Sequence, residues 1–190
     1  MASIADPTPR FAILTAFGSD RPGMVASVAD ALFELGCNIE DTCMTRLRGE
    51  FTMMLLVRLP IGLALAHVHD RVNAHATQTG LTIFCRELPA EAAARRTRED
   101  EEPGYLLSVY GADHPGIVAK VATTLATHCA TITDMNTRVI GPADRPVYIM
   151  ILELQLAPDT DAAPLEQALN QLKPVLGVDL TFRPIETVRF

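Results

Sequence analysis

The sequence repeats itself. Gly18-Ser-Asp-Arg-Pro-Gly-Met-Val-Ala26 reads like Gly111-Ala-Asp-His-Pro-Gly-Ile-Val-Ala119, 93 residues later. At that offset Gly18, Asp20, Pro22, Gly23, Val25, Ala26, Val28, Ala29, Leu32, Ile39 and Asp41 all meet their own kind. A period this long is too large for a solenoid unit and suits a small domain. The chain of 190 residues therefore reads as two copies of one domain.

What lies between the copies agrees with this. Residues 89–104 carry no apolar periodicity, a basic cluster (Arg95, Arg96, Arg98), the acidic run Glu99 to Glu102, and Pro103-Gly104. That is the composition of a solvated linker, and its acidic half neutralises its basic half. The expected layout is a tail at 1–9, a first domain at 10–88, the linker at 89–104 and a second domain at 105–190.

Each copy parses alike. Residues 11–17 are mostly apolar and end at Gly18, a strand pattern. From Pro22 to Leu35, Val25, Val28, Ala29 and Leu32 recur at helical spacing, with Pro22 expected at the first helical position and Gly36 at the C-terminal cap. Strands follow at 38–48 and 51–59, a helix from Leu65 to near Gly80, and a strand at 81–87. The second copy gives a strand at 105–110, a helix at 115–128, strands at 131–140 and 147–156, a helix at 162–172 and a strand at 178–184. The order βαββαβ, twice, predicts an α+β protein of two ferredoxin-like units, each an antiparallel sheet with both helices on one face. The third strands, with Met53-Met54-Leu55-Leu56-Val57 and residues 147–152, are apolar on both faces. The side away from the helices needs a partner, so sheet faces or edges are expected to bury against another copy, within the chain or in a dimer.

Composition narrows the function. The net charge is −7 and the pI about 5.2, which repels a phosphate backbone and disfavours direct nucleic-acid binding. With no Trp and 5% aromatic residues, a base-stacking platform is not in evidence. Cys37, Cys43, Cys85 and Cys129 form no CxxC pair, which argues for buried reduced thiols rather than a zinc site or a disulfide scaffold. The longest apolar run is far short of a membrane span, so the expected setting is the cytoplasm, without a membrane partner. No P-loop, GxGxxG or catalytic triad context occurs, and no cofactor or metal is expected. His67, His69 and His75 share a predicted helix but lack the i, i+4 spacing of a metal pair for the first two, and read as solvated. Met44, Met53 and Met54 read as gap-fillers or as a pliable binding surface.

The motif with chemistry is Gly18-x-Asp20-Arg21-Pro22-Gly23 and its twin Gly111-x-Asp113-His114-Pro115-Gly116. Each stands between a strand and a helix. Gly18 is expected to turn the chain, Pro22 to preset the helix, Gly23 to leave the first-turn amides uncovered, and Asp20 to cap them. An open helix N-terminus prefers a carboxylate or phosphate. A single turn of this kind serves folding alone; its recurrence in both copies makes it a feature of the fold, structural or functional.

βαββαβ units with this loop resemble the ACT domain, a small regulatory module that binds amino acids. The stretch Asn38-Ile39-Glu40-Asp41-Thr42-Cys43-Met44, followed by Leu47-x-Gly49-x-Phe51 and Met54-Leu55, resembles the tandem proteins of the glycine cleavage system transcriptional repressor family. The resemblance implies a ligand between paired units, held by the loop after the first strand and the start of the second. In this sequence those are Gly18, Asp20, Arg21, Pro22, Gly23, Met24, Asn38 and Ile39, and Gly111, Asp113, His114, Pro115, Gly116, Ile117, Thr131 and Ile132. Thr131 stands where the first copy has Asn38, and its single hydroxyl offers less than an amide, which points to the first copy as the better site.

The resemblance implies a non-enzymatic regulator, a homodimer that senses a small amino acid, with glycine and serine as candidates. It would act on a transcriptional regulator by protein–protein contact. The alternatives are a detached regulatory subunit of an amino-acid metabolic enzyme and a dimerisation module that binds nothing.

Overall fold

The computed structural model describes residues 9–93, 104–142, 144–157 and 160–185. The charged stretch at 94–103, most of the expected tail and residues 186–190 lie outside the described residues. The chain divides into two compact units, Met1–Thr97 and Arg98–Phe190.

In the first unit the elements are β1 (Arg10–Ser19), α1 (Met24–Glu34), β2 (Asn38–Leu47), β3 (Glu50–Leu59), α2 (Leu65–Thr79), β4 (Thr82–Leu88) and a single helical turn, α3 (Ala90–Ala93). The turn α3 opens the segment read from sequence as a linker. The second unit has β5 (Tyr105–Ala112), α4 (Ile117–Thr127), β6 (Ala130–Ile140), β7 (Val147–Leu156), α5 (Ala163–Leu176) and β8 (Val178–Pro184). Each sheet is antiparallel, in the orders β2-β3-β1-β4 and β6-β7-β5-β8. These are the two βαββαβ units that the repeat predicts.

Alternation along the strands sets the core. In β3, Phe51, Met53, Leu55, Val57 and Leu59 are buried, while Met54 is half exposed and Arg58 exposed. In β1 the buried set is Ala12, Leu14 and Ala16. Against these pack Met24, Val28, Ala31 and Leu32 of α1 and Val68, Val72 and Ala76 of α2. The second core is built alike from Leu107, Val109, Met150, Leu152 and Leu154 under Ile117, Val121, Leu125, Leu165 and Leu169. Strand β3 is thus apolar on both sides, but only one side is covered by the unit's own helices.

Three sequence expectations need correction. The α1 stripe is rotated: Val25 faces outward and Met24 inward, because the helix starts two residues later than Pro22. Helix α5 runs past Leu172 to Leu176 with Pro174 inside it. In the last turn, proline forfeits only one bond of the ladder, and burial of Leu176 offsets it. Of the four cysteines, only Cys37 and Cys85 are half-buried; Cys43 and Cys129 are exposed. None of the four is joined in a disulfide.

Candidate functional site

Each repeated loop joins the end of a first strand to a first helix, as the sequence implies, but its residues play other parts than expected. Gly18 lies inside β1. A β-carbon there would sit 2.7 Å from the Gly80 carbonyl oxygen, so glycine is required by close approach of the α2–β4 turn. Gly111 meets the same constraint, 3.0 Å from the Gly177 carbonyl. Pro22 precedes the helix, and Gly23 is the N-cap at φ 93°, with Gly116 its counterpart at φ 100°. Both are left-handed conformations that favour glycine. A β-carbon at either would meet nothing within 4 Å, so the approach to the first helical turn is open. The ladder begins with Ser27 N–H to Gly23 O at 2.9 Å and with Lys120 N–H to Gly116 O at 3.0 Å. The amides of Met24, Val25 and Ala26, and of Ile117, Val118 and Ala119, therefore precede it and offer an electropositive end.

Asp20 does not cap this end. Its carboxylate accepts from Arg46 Nη1 at 3.0 Å, and its N–H donates to Gly49 O at 2.7 Å. Arg21 N–H points to Met24 Sδ at 3.0 Å, and Met24 itself is buried. The second loop differs. Register pairs Arg46 with Phe51 in the first unit and Val139 with Tyr148 in the second, so Val139 occupies the place of Arg46. No cation pairs with Asp113 among the described residues. His114, in the place of Arg21, has Nε2 2.7 Å from Leu176 O and Nδ1 3.1 Å from Pro115 O. Those two carbonyls hold its imidazole above its ordinary pKa, with Asp113 adding to the effect and partial burial opposing it. Residues 113–119 and Tyr148 line an open cavity of about 640 Å³. Tyr148 stands where the first unit has Phe51, and its buried hydroxyl donates to Met150 Sδ at 3.9 Å.

The starts of the second strands lie elsewhere. Asn38 pairs with Arg58, which pairs through β3 with Phe11, at the far end of β1 from Gly18. Seven residues of strand separate those levels, roughly 23 Å at ~3.3 Å per residue. Asn38 Nδ2 donates to Glu40 Oε1 at 2.9 Å, and Arg58 Nε reaches the same oxygen at 2.7 Å. Asn38 and Arg58 line a second cavity, of about 390 Å³, with Pro60 and Ile61. Ile39 follows Asn38, next to a bulge between Ile39 and Asp41, and a matching bulge follows Ile132. Thr131 pairs with Gln155, likewise beyond the opposite end of its sheet from Gly111. A unit thus brings its loop residues together but holds them apart from its own Asn38 or Thr131. Arg46 and Val139 escape the sequence reading because strand register, not spacing, brings them to the loop.

Of the helical histidines, His69 lies 3.5 Å from Asp70 and His75 3.5 Å from Glu34. Among the described residues no three His, Cys, Asp or Glu side chains converge on a common point. Among them, too, no helix is long and apolar enough to cross a membrane.

Comparison with known proteins agrees with this architecture. The profile of the ACT domain matches residues 10–86 and 105–183. The glycine cleavage system transcriptional repressor of Escherichia coli (strain K12) is 27% identical over 166 residues, 85% of this chain and 83% of that protein. The crystal structure of an unknown protein from Galdieria sulphuraria superposes with a TM-score of 0.76 at 24% identity, covering 94% of this chain and 99% of that one. A second crystal structure, described as a candidate glycine cleavage system transcriptional repressor, gives 0.63 at 18% identity over the same shares. Both structures speak to the fold.

Proposed function

The chain belongs to the ACT domain family, with both of its units matched, and from that premise we propose that it is a non-enzymatic cytoplasmic regulator that binds a small amino acid at the second loop. The observation that carries this reading is the cavity at residues 113–119, where an uncommitted carboxylate and a helix N-terminus meet. An amino acid presents the complementary pair. Its carboxylate takes the amides of Ile117, Val118 and Ala119, and its ammonium takes Asp113. The first loop offers the same amides, but Arg46 already neutralises Asp20. That reverses the preference drawn from Asn38 and Thr131 alone.

Asn38 and Thr131 enter this reading only across a pair of units. A ligand at a loop meets them when a neighbouring unit brings the start of its second strand alongside, as the ACT resemblance implies. The protein acts as a homodimer, and the signal passes to a partner by contact. Likeness to a transcriptional repressor of the glycine cleavage system favours a transcriptional regulator as that partner and makes glycine and serine the first ligands to try. The charge of −7 supports action on a DNA-binding protein rather than on DNA.

A thermal-shift screen with the twenty amino acids tests the reading, since a ligand of the folded state raises Tm. Calorimetry of Asp113→Asn then tests the site. Loss of a charge-assisted bond, roughly 1.5–3 kcal/mol, weakens binding about ten- to a hundredfold. No binding of any amino acid at millimolar concentration leaves both loops as turns.

A further inference from the structure

The helix-free face of the first sheet is apolar in the middle and charged at two edges. Phe17, Met54 and Phe84 are 48%, 51% and 59% exposed, with half-buried Phe11, Ile13 and Leu56 between them. Register arranges this face in rows across the strand order β2-β3-β1-β4. One row is Asp41, Leu56, Ile13, Arg86; the next is Cys43, Met54, Thr15, Phe84. Neither Asp41 nor Arg86 has an ion-pair partner among the described residues, and the Asp41 carboxylate accepts only from the Thr42 N–H next to it, at 2.7 Å. Between Ile13, Cys43, Met54 and Leu56 the surface has a small hollow of about 100 Å³.

We infer that this face is a self-complementary interface that pairs with the same face of a second copy of the chain. A twofold axis along the strands, midway between β1 and β3, lays β4 of one copy over β2 of the other without changing height along the strand. Sheets packed in this aligned way stand about 10 Å apart. Every row then meets its own reverse. Arg86 lies over Asp41 of the second copy and Asp41 over its Arg86, so two ion pairs close the edges. Ile13 lies over Leu56. Phe84 comes down beside Cys43, where the hollow is. An isologous contact of this kind needs only one patch to satisfy both partners. A twofold axis perpendicular to the strands would instead place β4 over β4 and leave both charges unmatched.

The second unit repeats the charges, with Asp134 and Arg183 in the corresponding row, but has Glu153 in place of Leu56. Its face is the more polar of the two, so the first unit is the better candidate for a dry contact. The inference rests on the homodimer proposed above and adds the face, the axis and the ion pair. The interface leaves the loops free, because they lie at the strand ends and lead into helices on the other side.

Sedimentation of the full chain tests it by charge exchange. Arg86→Asp and Asp41→Arg each raise the dimer dissociation constant at least tenfold, and the double variant returns it to within about threefold of wild type. Phe84→Ala weakens the dimer with unchanged far-UV dichroism, because the ring is exposed within the unit. A dimer indifferent to all these changes overturns the inference while leaving a homodimer through another surface. Failure of the double variant to recover, with a folded spectrum, overturns the pairing. A monomeric wild type overturns the inference and the homodimer together, and leaves the face to the chain's own second unit or to another protein.

Discussion

Arg46 holds the Asp20 carboxylate at 3.0 Å, and in the second repeat the place of Arg46 belongs to Val139. One strand substitution thus separates two loops that are otherwise built alike. In the first, the negative charge beside the helix N-terminus is neutralised. In the second it remains available, beside an open cavity. Exchange of the two residues should therefore exchange the behaviour of the loops. Val139→Arg should weaken amino-acid binding at least tenfold, and Arg46→Val should create a second binding event in calorimetry. The stability cost of Arg46→Val should stay within about 1 kcal/mol, since the pair is solvent-exposed. An unchanged affinity in Val139→Arg would show that Asp113 does not receive the ammonium.

Cys129 sits at φ 54° after α4, where the first repeat has Gly36 at φ 68° after α1. The backbone is the same and the side chain is the burden. A left-handed conformation costs an ordinary residue about 1–2 kcal/mol, while glycine gives back about 0.5–1 kcal/mol through the freedom of the unfolded chain. Cys129→Gly should thus stabilise the protein by roughly 0.5–1 kcal/mol in denaturant unfolding. The reverse change, Gly36→Cys, should cost a similar amount. The space around Gly36 does not forbid it, the nearest atom to a β-carbon being Pro60 Cγ at 3.7 Å. A loss of stability in Cys129→Gly would mean that the thiol makes a contact worth more than the strain.

The thiols should separate into two classes by reactivity. Cys43 and Cys129 are exposed, whereas burial pushes the Cys85 thiol up to about 11 and raises Cys37 as well. Only the thiolate attacks a disulfide reagent. At pH 8, and at a protein concentration low enough to keep the chain monomeric, a chromogenic disulfide should label Cys43 and Cys129 quickly and Cys85 only on the timescale of local opening, as peptide mass mapping would show. For Cys85 the folded pKa lies above the unfolded value near 9. Its contribution to stability is complete below pH 9 and is lost as pH rises toward 11. Rapid labelling of Cys85 in the native state would contradict this.

Much of the fold is legible in the chain because the repeat is direct. Two occurrences of one pattern fix the element order, and Gly23 and Gly116 mark both helix starts. The sequence is less informative where register decides. Period alone makes Val25 as good a core residue as Met24, and only the position of the cap turns it outward. Asp20 reads as a cap because nothing local announces Arg46, which lies across the sheet. Asn38 and Gly18 read as one site because the resemblance joins them, whereas β1, β3 and β2 in sequence carry Asn38 to the opposite end. The periodicity stops the last helix at Leu172, whereas it runs on through Pro174 to the buried Leu176.

His114 makes the second loop sensitive to pH. As an imidazolium it donates from both ring nitrogens, to Leu176 O at 2.7 Å and to Pro115 O at 3.1 Å. The first bond ties the loop to the C-terminal end of α5, where a positive charge is favoured by the exposed carbonyls. A neutral ring can donate from only one nitrogen, so deprotonation costs one of the two bonds. These carbonyls, with Asp113 beside them, raise the folded pKa above the unfolded value near 6.5. The tether's contribution is therefore complete below about pH 6.5 and is lost as pH rises through the folded pKa. The proton titration of the His114 ring should have its midpoint above 6.5. Amide exchange at Gly116 and Ile117 should accelerate from pH 6 to pH 8 by more than the intrinsic chemical rate explains. His114→Gln, which keeps one donor and carries no charge, should remove that excess at every pH. A His114 midpoint at or below 6.5, or an exchange profile unchanged in His114→Gln, would show that the ring does not hold the loop.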